Sequence, residues 1–350
     1  MLFRDFMEMA LYYPELGYYT SAHEKLGPRG DYYTSPVLSE LFGQMIARQL
    51  EEMWCAMGKG AFTLIEFGAG TGILCNDILN YLKSHSALYD HISYCIIEKS
   101  GTMCAQERQI IRHEGKVNWY RSVIEIGAFT SCVFTNEVLD NFSIHQVIMK
   151  QELMEVCVDY TNGFTETTIP ASPILKSYLE EEHVKLPANY RTEINLQAKE
   201  WITDVAGVLD RGFVLTIDYG YPSWEYYHPR RSAGTLMCYH QQKVSENPYE
   251  HVGHKDITAH VNFSALNRGG MRYGLVPGGF TNQNNFLHSL GLVNCIRTLE
   301  HQKKSGKLNE KDFRQVITLL YGMGNKFKVL MQHKNVSVPR LTGMMCCNPL

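Results

Sequence analysis

The stretch from Leu64 to Cys75, LIEFGAGTGILC, limits the fold more than any other part of the chain. An apolar, β-rich run at 62–67 enters three alternating glycines, Gly68, Gly70 and Gly72. Ile73, Leu74, Ile78, Leu79 and Leu82 then follow at the spacing of one helical face. Glycines allow a tight turn and a close approach of backbone to a ligand, and the helix start offers free N–H groups. No Gly-Lys-Ser/Thr follows, so this is not a P-loop. The dinucleotide spacing G-x-G-x-x-G/A also fails. The third position is Ile73 counted from Gly68, or Cys75 counted from Gly70.

The alternation continues. Runs at 92–97, 131–135 and 212–217 read as strands, and 101–114 and 196–210 as helices, with a helix at 311–321 and a closing strand at 326–332. Strands separated by helices imply βαβ units, an α/β fold with a doubly wound, mostly parallel sheet. Two stretches interrupt it. Residues 144–149, 153–158 and 164–169 are strand-like, and Asn162-Gly163 marks a hairpin, so a small antiparallel insertion is expected. Residues 219–281 are rich in Gly, Pro, His, Tyr and Asn and carry little periodicity, the mark of a lid or substrate-side loop region. The expected layout is an N-terminal helical cap (1–60), a core (61–142, 196–218 and 282–335), an antiparallel β plus helix insertion (143–195) and a substrate-side insertion (219–281).

Composition narrows the partners. The 350 residues carry 33 Lys+Arg against 36 Asp+Glu, a net charge of −3, which argues against a broad nucleic-acid-binding face. No apolar run approaches the roughly 18–20 residues of a membrane span. The first residues match neither a signal peptide nor an Arg- and Ser-rich leader. A bacterial cytoplasm is the expected compartment, or a mitochondrial matrix if a leader has been removed. The ten cysteines include no CxxC, there is no HExxH, and His251 and His254 lack a third ligand, so reduced thiols and no metal are expected.

The spacing Glu66-x-Gly68-x-Gly70-x-Gly72, with Ala69 between the first two glycines, resembles motif I of class I S-adenosylmethionine (SAM) methyltransferases. There the loop lies under the methionine part of the cofactor, and the acid ahead of it faces the ammonium. Glu98 ends the next strand, where a carboxylate can accept hydrogen bonds from both ribose hydroxyls. The strand at 131–135 runs into Asn136, Glu137 and Asp140, where polar groups would face the transferred methyl. Carboxylates there could orient a cationic acceptor and take its proton. The alternative for Asn136 or Asp140 is a helix N-cap.

The chain is identified as similar to the MidA-like family of SAM-dependent methyltransferases. The resemblance rests on Phe6-Met7, Ala10-Leu11-Tyr12 and Gly17-Tyr18-Tyr19, then on Gly30 to Pro36 with Phe42-Gly43, and on Glu66 to Gly72. Asn136-Glu137 with Asp140, Ile217 to Gly220, Gly234-Thr235-Leu236, Asp256 to Phe263, and Gln283 with Phe286-Leu287 follow in family order. The family's mitochondrial members include the complex I assembly-factor methyltransferase. The resemblance implies a Rossmann-like SAM fold and methylation of an arginine in a respiratory complex I subunit, with S-adenosylhomocysteine as product. It also implies that residues 31–43 fold over the cofactor, with Thr34, Ser35 and Pro36 against it. Ser35 is expected as the N-cap of a helix that begins at Pro36. Asp31, Tyr33, Asp218 and Asp256 are expected on the substrate side, and His260 as a candidate general base. Arg268 and Arg272 are candidates for an acidic partner surface. Asn262, His254 and Asn284 stand where the family pattern has Asp, Glu and Gly, which bears on the substrate side. A small-molecule methyltransferase and a non-catalytic assembly factor are the competing readings. A nicotinamide dehydrogenase is disfavoured by the glycine spacing.

Overall fold

A computed structural model of the chain describes residues 1–21, 25, 27, 30–31, 34–113, 115–304, 314, 317–337 and 340–350. Its centre is a sheet of β1 (Phe62–Phe67), β2 (Ile92–Ile97), β3 (Val117–Tyr120), β4 (Phe129–Asn136), β5 (Leu209–Tyr221), β6 (Val276–Asn282) and β7 (Phe327–Lys334). The spatial order is β6-β7-β5-β4-β1-β2-β3, and Val261–Asn262 adds a short eighth strand beside β5. Strands β1 to β5 pair in parallel, and β7 runs antiparallel to both β5 and β6.

The strand side chains alternate between two apolar layers, as the period of two requires. Leu64, Tyr94, Ile96, Phe134 and Leu215 face the helices Glu40–Ala56 and Ile73–His85. Ile65, Cys95, Ile97, Val133 and Val214 face Leu196–Val208 and Phe263–Met271. Burial on both faces explains why these strands read as continuous apolar runs.

A second, antiparallel sheet holds Phe164–Pro170, Leu153–Tyr160, His145–Met149 and Arg191–Ile194 in that order, with the first helix, Phe3–Tyr12, packed against it. A third sheet joins Lys243–Ser245, Met237–His240 and Asp256–Thr258.

The structure differs from the sequence reading in several places. Residues 219–281 contain the core-facing helix Phe263–Met271, and β6, placed largely in that insertion, is an edge of the central sheet. Pro277, Gly278 and Gly279 hide it, since its register against β7 shifts there. Helix Glu40–Ala56, read as part of the cap, packs into the core. The predicted helix at 311–321 falls largely outside the described residues. The helix at 35–38 starts at Ser35 itself, and Thr34 occupies the capping position without a side-chain bond. Arg268 and Arg272 pair with Glu182 and Glu181 in their own chain. All ten cysteines are free thiols.

Candidate active site

The carboxyl ends of β1, β2, β4 and β5 lie side by side. Phe67 is level with Ile97 and with Thr135, and Asn136 is level with Ile217. The loops leaving these ends enclose a cavity of about 420 Å³. This is where open α/β sheets bind ligands.

The glycine loop forms one wall. Gly68, Gly70 and Gly72 have φ of 61°, 59° and 81°, in the left-handed region. A Cβ at Gly68 would sit 3.0 Å from the Val138 side chain. At Gly72 it would sit 3.2 Å from the Glu107 backbone. Gly72 then starts the helix Ile73–His85 with its amides unfilled by any side-chain cap. Gly68, Ala69 and Gly70 line the cavity, as do Glu66 and Glu98. The Tyr94 hydroxyl donates to Glu66 at 2.7 Å, yet burial raises that carboxyl to about 7. Burial also raises Glu98, and the Ser100 N–H, donating at 2.7 Å, opposes the rise.

The opposite wall is the turn after β4. Asn136 and Glu137 line the cavity. Glu137 has a φ of 57°, rare for a residue with a side chain. Its Oε1 accepts from the Ser35 N–H at 3.2 Å and from Asn136 Nδ2 at 3.1 Å. Burial raises its carboxyl to about 8 despite these donors, and Asp218 raises it further. Asn136 Oδ1 is buried with no hydrogen bond among the described residues.

Asp218 is fully buried at the end of β5. It accepts from the N–H groups of Val138, Leu139 and Asp140 at 3.1, 2.9 and 3.4 Å, and from its own neighbour Tyr219 at 2.8 Å. The acid that caps this turn is therefore Asp218, supplied from another strand, and neither Asp140 nor Asn136. Among the described residues Asp218 touches the loop and does not line the cavity. Asp140 is also buried behind the wall, with Oδ1 unpaired among the described residues. Burial and the charges of Asp218, Asp256 and Glu137 push its carboxyl well up.

The other expected residues spread around this centre. Thr34 and Pro36 line the cavity, and Ser35 lies behind them against Glu137. Asp256 is buried and accepts from the Tyr19 hydroxyl at 3.0 Å, and Tyr19 lines the cavity. Asp31 accepts from the Tyr18 hydroxyl and the Gln241 N–H, away from the cavity lining. His260 packs against Tyr219 and Tyr221. Burial, Arg231 and Lys328 lower it to about 4, so it is neutral at pH 7 and stands outside the cavity lining. Tyr33 lies outside the described residues.

Gln197, Glu200, Trp201 and Asp204 of the helix Leu196–Val208 also line the cavity and were not singled out from sequence. Their spacing places them on one helical face, a signal that was present but indistinguishable from an ordinary polar face.

The arrangement suits a nucleoside carrying a cationic amino-acid end. Gly68 and Gly70 leave room for a close approach of backbone to a ligand, and the Glu66 and Glu98 carboxylates lining the cavity can accept hydrogen bonds from hydroxyl and ammonium groups. Among the described residues no group of three His, Cys, Asp or Glu could hold a metal, and no helix is long and apolar enough to cross a membrane.

A family model described as "Putative S-adenosyl-L-methionine-dependent methyltransferase" matches residues 45–281. A crystal structure from Burkholderia thailandensis, bound to S-adenosyl-homocysteine, is 30% identical, with a TM-score of 0.89 over 99% of this chain and 91% of that one. The Caenorhabditis elegans protein arginine methyltransferase NDUFAF7 homolog, mitochondrial, is 28% identical over 93% of this chain and 80% of its own. The human protein of that name is 25% identical over 91% of this chain and 75% of its own. Since the family match covers more than half of the sequence and the fold is shared almost end to end, the chain belongs to this family of SAM-dependent methyltransferases.

Proposed function

We propose that the chain is a protein arginine N-methyltransferase whose acceptor is a subunit of respiratory complex I. The observation that carries this reading is the Glu137 turn. Glu137, half-buried at the cavity face, stands beside the buried Asp140 and Asp218; desolvation raises each carboxyl, and none has a Lys or Arg ion pair among the described residues. Uncompensated buried carboxylates favour a cationic guest, which lowers the cost of their ionisation. Guanidinium is such a cation, planar and able to take a carboxylate in two hydrogen bonds.

Bound in the cavity, SAM would supply an electrophilic methyl group. The protein must bring a nitrogen lone pair into line with it. A guanidinium keeps its charge above pH 12 and spreads its lone pairs over three nitrogens. Glu137, facing the cavity, localises that charge, orients the reacting nitrogen and accepts its proton. Asp218 keeps the turn in place. The relatives named as protein arginine methyltransferases support the acceptor type. The compartment then follows the acceptor, the mitochondrial matrix or a bacterial cytoplasm.

The test combines the purified protein with methyl-labelled SAM and dissociated complex I subunits, followed by amino-acid analysis. N-methylarginine in one subunit, absent with Glu137→Gln, is the expected result. Label in a small molecule only, or on lysine, would overturn the acceptor assignment.

A further inference from the structure

Glu137 occupies a backbone conformation that residues with a Cβ rarely adopt, and two donors hold its carboxylate oxygen. Asn136 is one partner, and it belongs to the same strand end. The other is the backbone N–H of Ser35, 102 residues earlier in the chain.

That N–H sits in a helix of only four residues, Ser35–Leu38, with no side-chain cap. A single turn does not hold itself in water. Its anchor is the Ser35 hydroxyl, fully buried against the Gln283 side-chain amide, with Nε2 at 3.1 Å and Oε1 at 3.3 Å. Gln283 is itself fully buried at the first position of the helix Gln283–Ser289. Asn282 caps that helix by accepting from the Asn285 N–H at 2.8 Å, and Asn282 is paired with Lys328 at the end of β6. A continuous chain of contacts therefore runs from the central sheet through Gln283 and Ser35 to Glu137.

We infer that Gln283 and Ser35 are positioning residues for Glu137, holding the cavity-facing carboxylate through the Ser35 N–H. The inference rests on the reading of Glu137 as proton acceptor. It also gives the segment Thr34–Pro36 a second task. Thr34 and Pro36 line the cavity beside the cofactor wall, so the segment that contacts the ligand region also aims the carboxylate.

The bond from Ser35 favours the ionised form of Glu137, and losing its alignment raises the pH at which Glu137 titrates. The other ionisable groups that face this carboxyl among the described residues are Asp218, Asp140, Tyr219 and Tyr239. None of the four is substituted in the variants below.

The test follows the infrared band of the protonated Glu137 carboxyl in the complex with S-adenosylhomocysteine, identified by subtracting Glu137→Gln. Gln283→Leu keeps the bulk and removes the amide, and Ser35→Ala removes only the hydroxyl. Each should move the Glu137 midpoint to higher pH by about half a unit or more, with the circular dichroism of the fold retained. The double variant should move it no further than either single change, since both break one chain of contacts. A midpoint unchanged in Ser35→Ala and Gln283→Leu overturns the inference, and so does an additive double variant. If Gln283→Leu does not fold, Ser35→Ala, a far smaller change, decides alone. Failure of the underlying reading looks different. Glu137→Gln would then methylate at the parent rate, whatever the infrared midpoints show.

Discussion

The two ends of the cavity are assembled from different kinds of sequence. The end we assign to the cofactor comes from one βαβ unit, with Glu66, Gly68, Gly70 and Glu98 delivered by two adjacent strands and the turn after the first. The end we assign to the acceptor gathers Ser35, Glu137, Asp218 and Gln283, and its longest hydrogen bond in sequence, Ser35 to Gln283, spans 248 residues. The first end is held by backbone geometry and the second by buried side chains bonding backbone amides. Changes at the first should therefore act on binding alone. Changes at the second should act on turnover while binding persists.

The largest expected effect is at the glycine wall. Gly70→Val places a β-branched side chain at φ 59° and into the cavity. S-adenosylhomocysteine affinity should fall at least about 100-fold in calorimetric titration, with the circular dichroism of the fold retained. Retained affinity would mean that this wall does not touch the ligand.

Glu137→Gln comes next. Turnover should drop by about 10²-fold or more in the labelled-methyl assay, with affinity for S-adenosylhomocysteine nearly unchanged. Equal losses in binding and turnover would merge the two ends of the cavity into one functional unit.

A smaller effect is expected from pH. The Glu137 carboxyl, raised by burial to about 8, is mostly protonated at pH 7 and gains its basic form as pH rises. At limiting cofactor, kcat/KM should climb about tenfold between pH 7 and 9. A flat profile across that interval would remove Glu137 from the proton transfer.

The smallest effect belongs to His260. It is neutral at pH 7 and stands outside the cavity lining, so His260→Gln should leave the rate within about threefold. A loss above tenfold would bring it back as the base.

The sequence alone determined the glycine-loop end of the cavity and most of the strands that carry it. The glycine run, the helix after it and Glu98 at the next strand end are local features, because left-handed turns and helix starts are set by residues a few positions apart. Tertiary structure decided the rest. Asp218 reads as a polar residue after an apolar strand. Only the pairing of β4 with β5 sets it against three amides of the neighbouring turn. Asp140 and Glu137 look equivalent in sequence, yet the turn sends one into the wall and the other to the cavity. Ser35 reads locally only as a helix cap and Gln283 carries no local pattern, and their contact exists because β6 and the segment before helix Glu40–Ala56 converge on one strand end. The physical reason is range. Backbone preference acts within a turn, whereas a buried polar group takes its partner from wherever packing brings one.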